Sequence, residues 1–277
     1  MDHTKLNNDG FDRYVYQIGS FIEWKTGIRK IMSVVEPVAK QYTNIFIRTH
    51  RFLTNRFHKI WPARYTDANP FKLVDVDPAE IICHLKFVPR RGWVVSGDMD
   101  ENSVPFFELP IPVCLKLRYD VGYDWHDPEL KQMFITALKN DRDGWEYSDQ
   151  KYKKRCDKLD NLYNSMKEEG YKSQKQLILE DRAATHASTN DTVHPILNEV
   201  GVSINEDGEF LWSRCGMNRL ALAKILGIES IPVMVYLRHQ KWQGIRNEIQ
   251  NTPNKEKLSE QILSIRDHPD LSDIYSM

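Results

Sequence analysis

Cysteine is scarce and scattered in this chain. Cys83, Cys114, Cys156 and Cys215 form no Cys-x-x-Cys pair and no Cys/His cluster at zinc-finger spacing. They read as reduced, mostly buried thiols rather than as a disulfide framework. Long apolar runs are missing as well. No 18 consecutive apolar residues occur, so a transmembrane helix is not expected. Residues 1–10 lack the basic patch and apolar core of a signal peptide, which together with the missing span points to the cytoplasm. Positive charge is not in surplus: 38 Lys and Arg face 39 Asp and Glu, a net charge of −1. A protein that neutralises many phosphates carries a basic excess, so specific DNA binding is not expected. Neither an internal repeat nor a low-complexity tract is present.

What is there is a chain of 277 residues, 41% hydrophobic and 28% charged, long enough for one large domain or two smaller ones. Three regions differ in character. Residues 1–66 form a basic amphipathic helical segment. Ile28, Ile31, Val35, Val38, Tyr42, Ile45, Phe52 and Ile60 follow the helical period. Pro37 suits the first turn of a helix, so two helices are expected to meet at Glu36-Pro37. From Trp24 to Arg64 nine Lys and Arg stand against one acid, Glu36. The apolar face of this segment is expected to pack on the domain. The alternative is a peripheral contact of residues 24–64 with an anionic membrane surface.

The main domain is expected over 67–252, with an insertion at about 85–145, followed by a C-terminal helix and tail over 253–277. In it, residues 71–76 alternate as a strand, Asp77-Pro78 opens a short helix and Trp93-Val94-Val95 reads as a second strand. Pro105, Pro110 and Pro112 predict an extended, irregular stretch. Helices are expected from Pro128 to Leu138 and from Tyr152 to Glu169, where Gly170 ends the second. Then come a strand at 199–205, an Asp207-Gly208 turn, a returning strand at 210–212, a helix from Met217 to Leu226 closed by Gly227, and an apolar strand at 231–237. Two further helices are expected near 240–250 and 255–266.

The order strand, turn, strand, Gly-x-x-Arg, helix, Gly, strand is a compact way to hold a phosphate. Gly216 lets the backbone approach a ligand closely. The helix that follows offers unpaired amides and the positive end of its dipole. Arg219 can add a charge-assisted contact. Such a turn alone reaches about millimolar affinity, on the order of −4 kcal/mol.

Residues 207–235, with Gly216-Met217-Asn218-Arg219, Gly227 and Ile231-Pro232-Val233, resemble the core of ParB/sulfiredoxin-like domains. Leu159–Gln174 is similar to that family's "L-x-x-S-I-x-x-x-G" helix and loop, and Phe71–Glu80 to its opening strand. All three occur in the family's order, and the match looks closest to archaeal ParB-like proteins of uncharacterised role. The resemblance implies an α/β fold: a small mixed sheet flanked by helices, with an N-terminal helical extension. It implies a nucleotide (ATP, ADP or CTP) with its phosphate on Gly216, Met217, Asn218 and Arg219. Ser173 and Gln174 would lie over the nucleotide, and Arg238 would reach a phosphate. Met217 stands where sulfiredoxins carry their catalytic cysteine, and Cys215 is two residues early, which argues against that chemistry. Asn218 replaces the family's usual His and cannot act as acid or base near pH 7. Only about 40 residues follow Leu237, too few for the DNA-reading domain of partition proteins.

The functional expectation is a nucleotide-dependent phosphotransferase or nucleotide hydrolase acting on an unknown small-molecule acceptor. Glu199 would serve as base, and Mg2+ would be held by Asp98 and Asp100. The rival readings are a non-catalytic nucleotide-binding regulatory module at a membrane surface, or a ParB-like nucleic-acid-associated protein. Each candidate also has an ordinary explanation: Glu199 as a charge at a strand end, Asp98 and Asp100 as a solvated turn, and Arg238 with His239 as a basic strand end. His194 lies in a Thr/Ser/Asn-rich stretch at 183–194, where a lone His is usually solvated.

Overall fold

A computed structural model describes residues 28–87, 89–141, 145–180 and 197–275, with side chains from residue 44 onward. The 183–194 stretch with His194 lies outside them, as does the chain before Ile28.

The chain begins with one 33-residue helix, α1 (Ile28–Ile60), that runs through Pro37 rather than breaking there. An interior proline removes a single backbone hydrogen bond, and the bonds on either side carry the helix across it. After it come β1 (Leu73–Val76), a 3-10 turn at Pro78–Glu80 capped by Asp77, β2 (Cys83–Leu85), β3 (Trp93–Val95) and β4 (Ser103–Pro105). The proline-rich stretch is not irregular throughout, because Pro110 starts helix α2 (Pro110–Lys116). Pro at a first helical position gives up no hydrogen bond. Then follow α3 (Pro128–Asp141), α4 (Asp149–Glu169) and α5 (Gln174–Leu179). The order continues with β5 (Val200–Ile204), β6 (Phe210–Arg214), α6 (Met217–Ile225) and β7 (Ile231–His239). The chain closes with α7 (Gln240–Asn251), α8 (Glu260–Ser264) and α9 (Ser272–Tyr275). The helix expected at 255–266 is split: Ser259 leaves the helical conformation and caps α8 through its side chain.

The fold is mixed α/β, as expected, with helices flanking one sheet in the order β1-β7-β5-β6-β2-β4, and β3 sharing the β1 edge of β7. β5 runs parallel to β7 and antiparallel to β6, so the 199–237 segment supplies the centre of the sheet. Strands β3 and β4, from within 85–145, pair into this same sheet. On one face Val200, Val202, Ile204, Val233 and Val235 meet α2, α3, α4 and α6 in the main core. Leu220, Ala221, Leu222 and Ala223 are each completely buried, so the middle turn of α6 is enclosed on every side and is apolar all round, while its ends carry the polar residues. The second face is a smaller cluster around Leu85, Leu211, Met234 and Tyr236.

The described part of α1 touches this body through one side only. His50 packs edge-on against Phe71, Phe57 against Tyr65, and His58 Nδ1 lies 2.7 Å from the Tyr65 carbonyl oxygen. Apolar residues expected to be covered instead face solvent, with Phe52 63% and Ile60 61% exposed. No described helix is long and apolar enough to cross a membrane.

Candidate functional site

Two turns and a strand end build the site. At the close of β6 the backbone enters the left-handed region twice in succession, at Cys215 (φ 53°) and Gly216 (φ 67°). A Cβ on Gly216 would lie 2.7 Å from Val200 Cγ2 and 3.0 Å from Val200 Cα. Glycine is therefore required both for its φ and for the contact, which seats the turn on the first residue of β5. That contact puts the first turn of α6 beside Glu199, the residue before β5.

Glu199 is fully buried and Arg219 is 2% exposed, and they pair directly, Arg219 NH1 to Glu199 Oε2 at 3.0 Å. Arg219 also donates to the Tyr171 hydroxyl at 2.9 Å and to the Asn198 carbonyl oxygen. The second carboxylate oxygen, Oε1, accepts from the backbone amide of Gln174 at 2.6 Å. Gln174 is the first residue of α5, so the positive end of that helix points at the carboxylate. α5 itself is fixed by a capping box: Ser173 Oγ accepts from Gln176 N, and Gln176 Oε1 accepts from Ser173 N. Burial pushes the Glu199 carboxyl above the ordinary carboxylate range, while Arg219, the Gln174 amide and Tyr171 pull it back. Burial likewise raises the Tyr171 phenol.

The structure thus brings together Ser173, Gln174, Glu199, Gly216, Met217, Asn218 and Arg219 from three separate stretches of sequence. Their roles differ from the expected ones. Arg219 turns inward and spends its NH1 and NH2 groups on Glu199, Tyr171 and Asn198. Ser173 caps a helix, and Gln174 holds Glu199 through its backbone. In this arrangement Glu199 is no open base, because both of its oxygens accept hydrogen bonds. The pocket beside Arg219, bounded by Ser165, Met166, Gly170, Tyr171 and Lys172, has about 20 Å³ of room. That is space for about one water and not for a nucleoside. Tyr171, which sequence reasoning passed over, completes the cluster; its only sequence signal is its place directly after Gly170.

The open side of the turn is different. Gly216, Met217 and Asn218 are partly exposed, and no side chain caps the start of α6. Amides at that end have no intrahelical acceptor. The Asn218 Oδ1 atom itself is buried and has no hydrogen-bond partner among the described residues.

The remaining candidates lie elsewhere. Arg238 pairs in register with Ile204, at the opposite end of β5 from Val200 and the Gly216 turn. It is 3% exposed and committed to Asp270, with Nε 2.9 Å from Oδ2, so it does not reach toward a phosphate on the turn. Asp100 accepts from Asn205 Nδ2 at 3.2 Å, and Asp98 Oδ1 accepts from the amide of Glu101 at 2.9 Å. By strand rise this puts Asp100 about 16 Å along β5 from the Gly216 turn. No group of three His, Cys, Asp or Glu side chains positioned to hold a metal ion occurs among the described residues.

Around Arg238 sits a second buried polar cluster. Asp270 also accepts from Trp242 Nε1 at 3.0 Å and Arg246 NH1 at 3.3 Å. Arg246, completely buried, continues to Asp67 at 2.9 Å and Asp273 at 3.1 Å. This network ties residue 67, β7, α7 and the C-terminal turn together. Comparison with protein-family models, curated proteins and solved structures yields no match.

Proposed function

We propose that the chain binds a nucleotide through its phosphate at the open side of the 215–218 turn, with the Glu199–Arg219 pair as the internal strut that holds the turn in place. The observation that carries the reading is the uncapped start of α6 behind two consecutive left-handed residues, with Asn218 beside it. Backbone amides at a helix start and the helix dipole both favour an anion. The Asn218 side-chain amide can donate as well. The nucleoside would lie on the surface of the turn, because the internal pocket has room only for water. This reading departs from the sequence expectation: the phosphate is taken by amides and Asn218 rather than by the Arg219 guanidinium, and Ser173, Gln174 and Arg238 take no part. Phosphotransfer or nucleotide hydrolysis with Glu199 as base is the second reading, and it requires the Glu199–Arg219 pair to open.

The test is calorimetric titration of the full chain with ATP, ADP, CTP and GTP, each with Mg2+, for wild type and Asn218→Asp. A carboxylate at this position favours the helix dipole by about 0.3–1 kcal/mol, so folding is kept, yet it repels a phosphate. Binding of at least one nucleotide, weakened tenfold or more by Asn218→Asp at unchanged melting temperature, supports the proposal. No heat with any nucleotide, or equal affinity in the variant, removes it. Product formation in the same samples, abolished by Glu199→Gln, would favour the catalytic reading.

A further inference from the structure

We propose that the outward face of α1 is a docking surface for an anionic lipid bilayer. The described part of the helix has two distinct faces, a mixed one toward the domain and an apolar one turned away from it. At about 100° per residue, Ile47, His50, Thr54, Phe57 and His58 fall on one arc. These are the positions of residues 44–60 that are buried or half-buried against the domain. Ile45, Phe52, Leu53 and Ile60 fall within about 100° of arc on the nearly opposite side. They are 55%, 63%, 41% and 61% exposed. A helix that only covered its domain would turn polar residues outward there. Phe46 and Trp61 lie nearer the contact side, Phe46 edge-on to Phe71 and Trp61 beside Phe57, and are not part of this stripe.

The charge around this stripe selects the occupant. Arg48, Arg51 and Lys59 line one flank, and Arg56 rises within the stripe. No Asp or Glu occurs anywhere from Pro37 to Thr66. A second copy of the helix laid against the stripe would bring two sets of these cations along one seam, with Glu36, outside the stripe, as the one acid on each helix. An anionic bilayer satisfies both features at once. Phe, Leu and Ile enter the boundary between headgroups and chains, while Arg and Lys extend their stems to the phosphates. Among the described residues nothing covers the lipid-facing arc, which points away from the side that contacts Phe71 and Tyr65. The helix would lie in the plane of the membrane with the domain above it, which suits a chain with no spanning helix among its described residues. This inference is independent of the nucleotide reading.

The experiment is flotation of the full chain with vesicles of phosphatidylcholine alone and with about 30% phosphatidylserine. Wild type is compared with Ile45→Ser/Phe52→Ser/Ile60→Ser and with Arg48→Gln/Arg51→Gln/Lys59→Gln. All six positions lie on the helix surface away from the domain contact, and thermal melts check that both variants stay folded. The expected result is flotation with anionic vesicles only and its loss at about 0.5 M salt, where charges are screened within a few ångströms. The apolar variant should lose tenfold or more in partitioning, and the charge variant about fivefold per cation removed. Absence of flotation, equal flotation with neutral vesicles, or variants that float like wild type overturns the proposal. It is also overturned if light scattering shows a dimer that the apolar variant splits, or if duplex DNA rather than lipid is bound, since another occupant then covers the stripe.

Discussion

Arg219 decides how the site works, because a guanidinium that is 2% exposed cannot be left without counter-charge. Its partner Glu199 is fully buried, and the Gln174 amide and Tyr171 complete the set. A buried ion pair adds little net stability when both partners are present, because desolvation offsets attraction, but removing one partner strands the other. Arg219→Met is therefore expected to cost about 3–5 kcal/mol in urea unfolding. Adding Glu199→Gln, which keeps an acceptor for the Gln174 amide, should recover more than about 1 kcal/mol of that loss in a double-mutant cycle. Additive single effects would mean that the two side chains do not act as a unit and that the turn is held by something else.

At the scale of elements, the Gly216 turn joins β6 to α6 and rests on β5. Gly216→Ala meets Val200 at three atoms and must hold φ at +67°. Strain of this kind costs about 1–3 kcal/mol. For a chain of this size it should lower the melting midpoint by several degrees, and the nucleotide binding proposed at the adjacent amides should fall with it. A variant that melts like wild type would show that the turn has slack. The turn and its neighbours were legible because each element from residue 199 to 237 has its own local signal: alternation in β5, Asp207-Gly208 at the hairpin, Gly216 before α6 and Gly227 after it. Where such signals fail, so does the reading. β2 and β4 have three residues each, too few to show alternation, and they exist only through pairing with β6 and with each other. Pro110 and Pro112 suggested irregular chain, although Pro110 is a helix start. For the site, Glu199 and the 216–219 turn could be named from sequence, but not Tyr171 or Asn198 and not the direction of Arg219. Gly-x-x-Arg fixes which helical turn carries the arginine, whereas whether it faces ligand or core depends on Glu199 and Tyr171, 20 and 48 residues away.

Over the whole molecule, the network of Asp67, Arg238, Arg246, Asp270 and Asp273 joins parts of the chain up to 179 residues apart. No local pattern announces it, which is why Arg238 looked free to serve a ligand. Its carboxylates also set how the fold responds to acid. Hydrogen bonds and charge from Arg246 outweigh burial and hold Asp67 down at about 2, and Arg238 and Arg246 depress Asp270 further. Carboxyls with depressed values stabilise the fold fully above their unfolded range near 4 and lose that contribution as pH falls toward 2. Asp67 alone accounts for about 2 kcal/mol on this basis. Glu199 acts with the opposite sign: burial raises its value, so its contribution is present below the ordinary carboxylate range and declines as pH rises through the raised one. Two carboxylates of the network outweigh one elsewhere, and stability to urea should fall steeply between about pH 4 and pH 2. In Asp67→Asn the drop should shrink, with a lower plateau above pH 5, because Arg246 keeps Asp270 and Asp273 but loses a third partner. An acid limb of the same steepness in wild type and variant would place the acid-sensitive group outside this network.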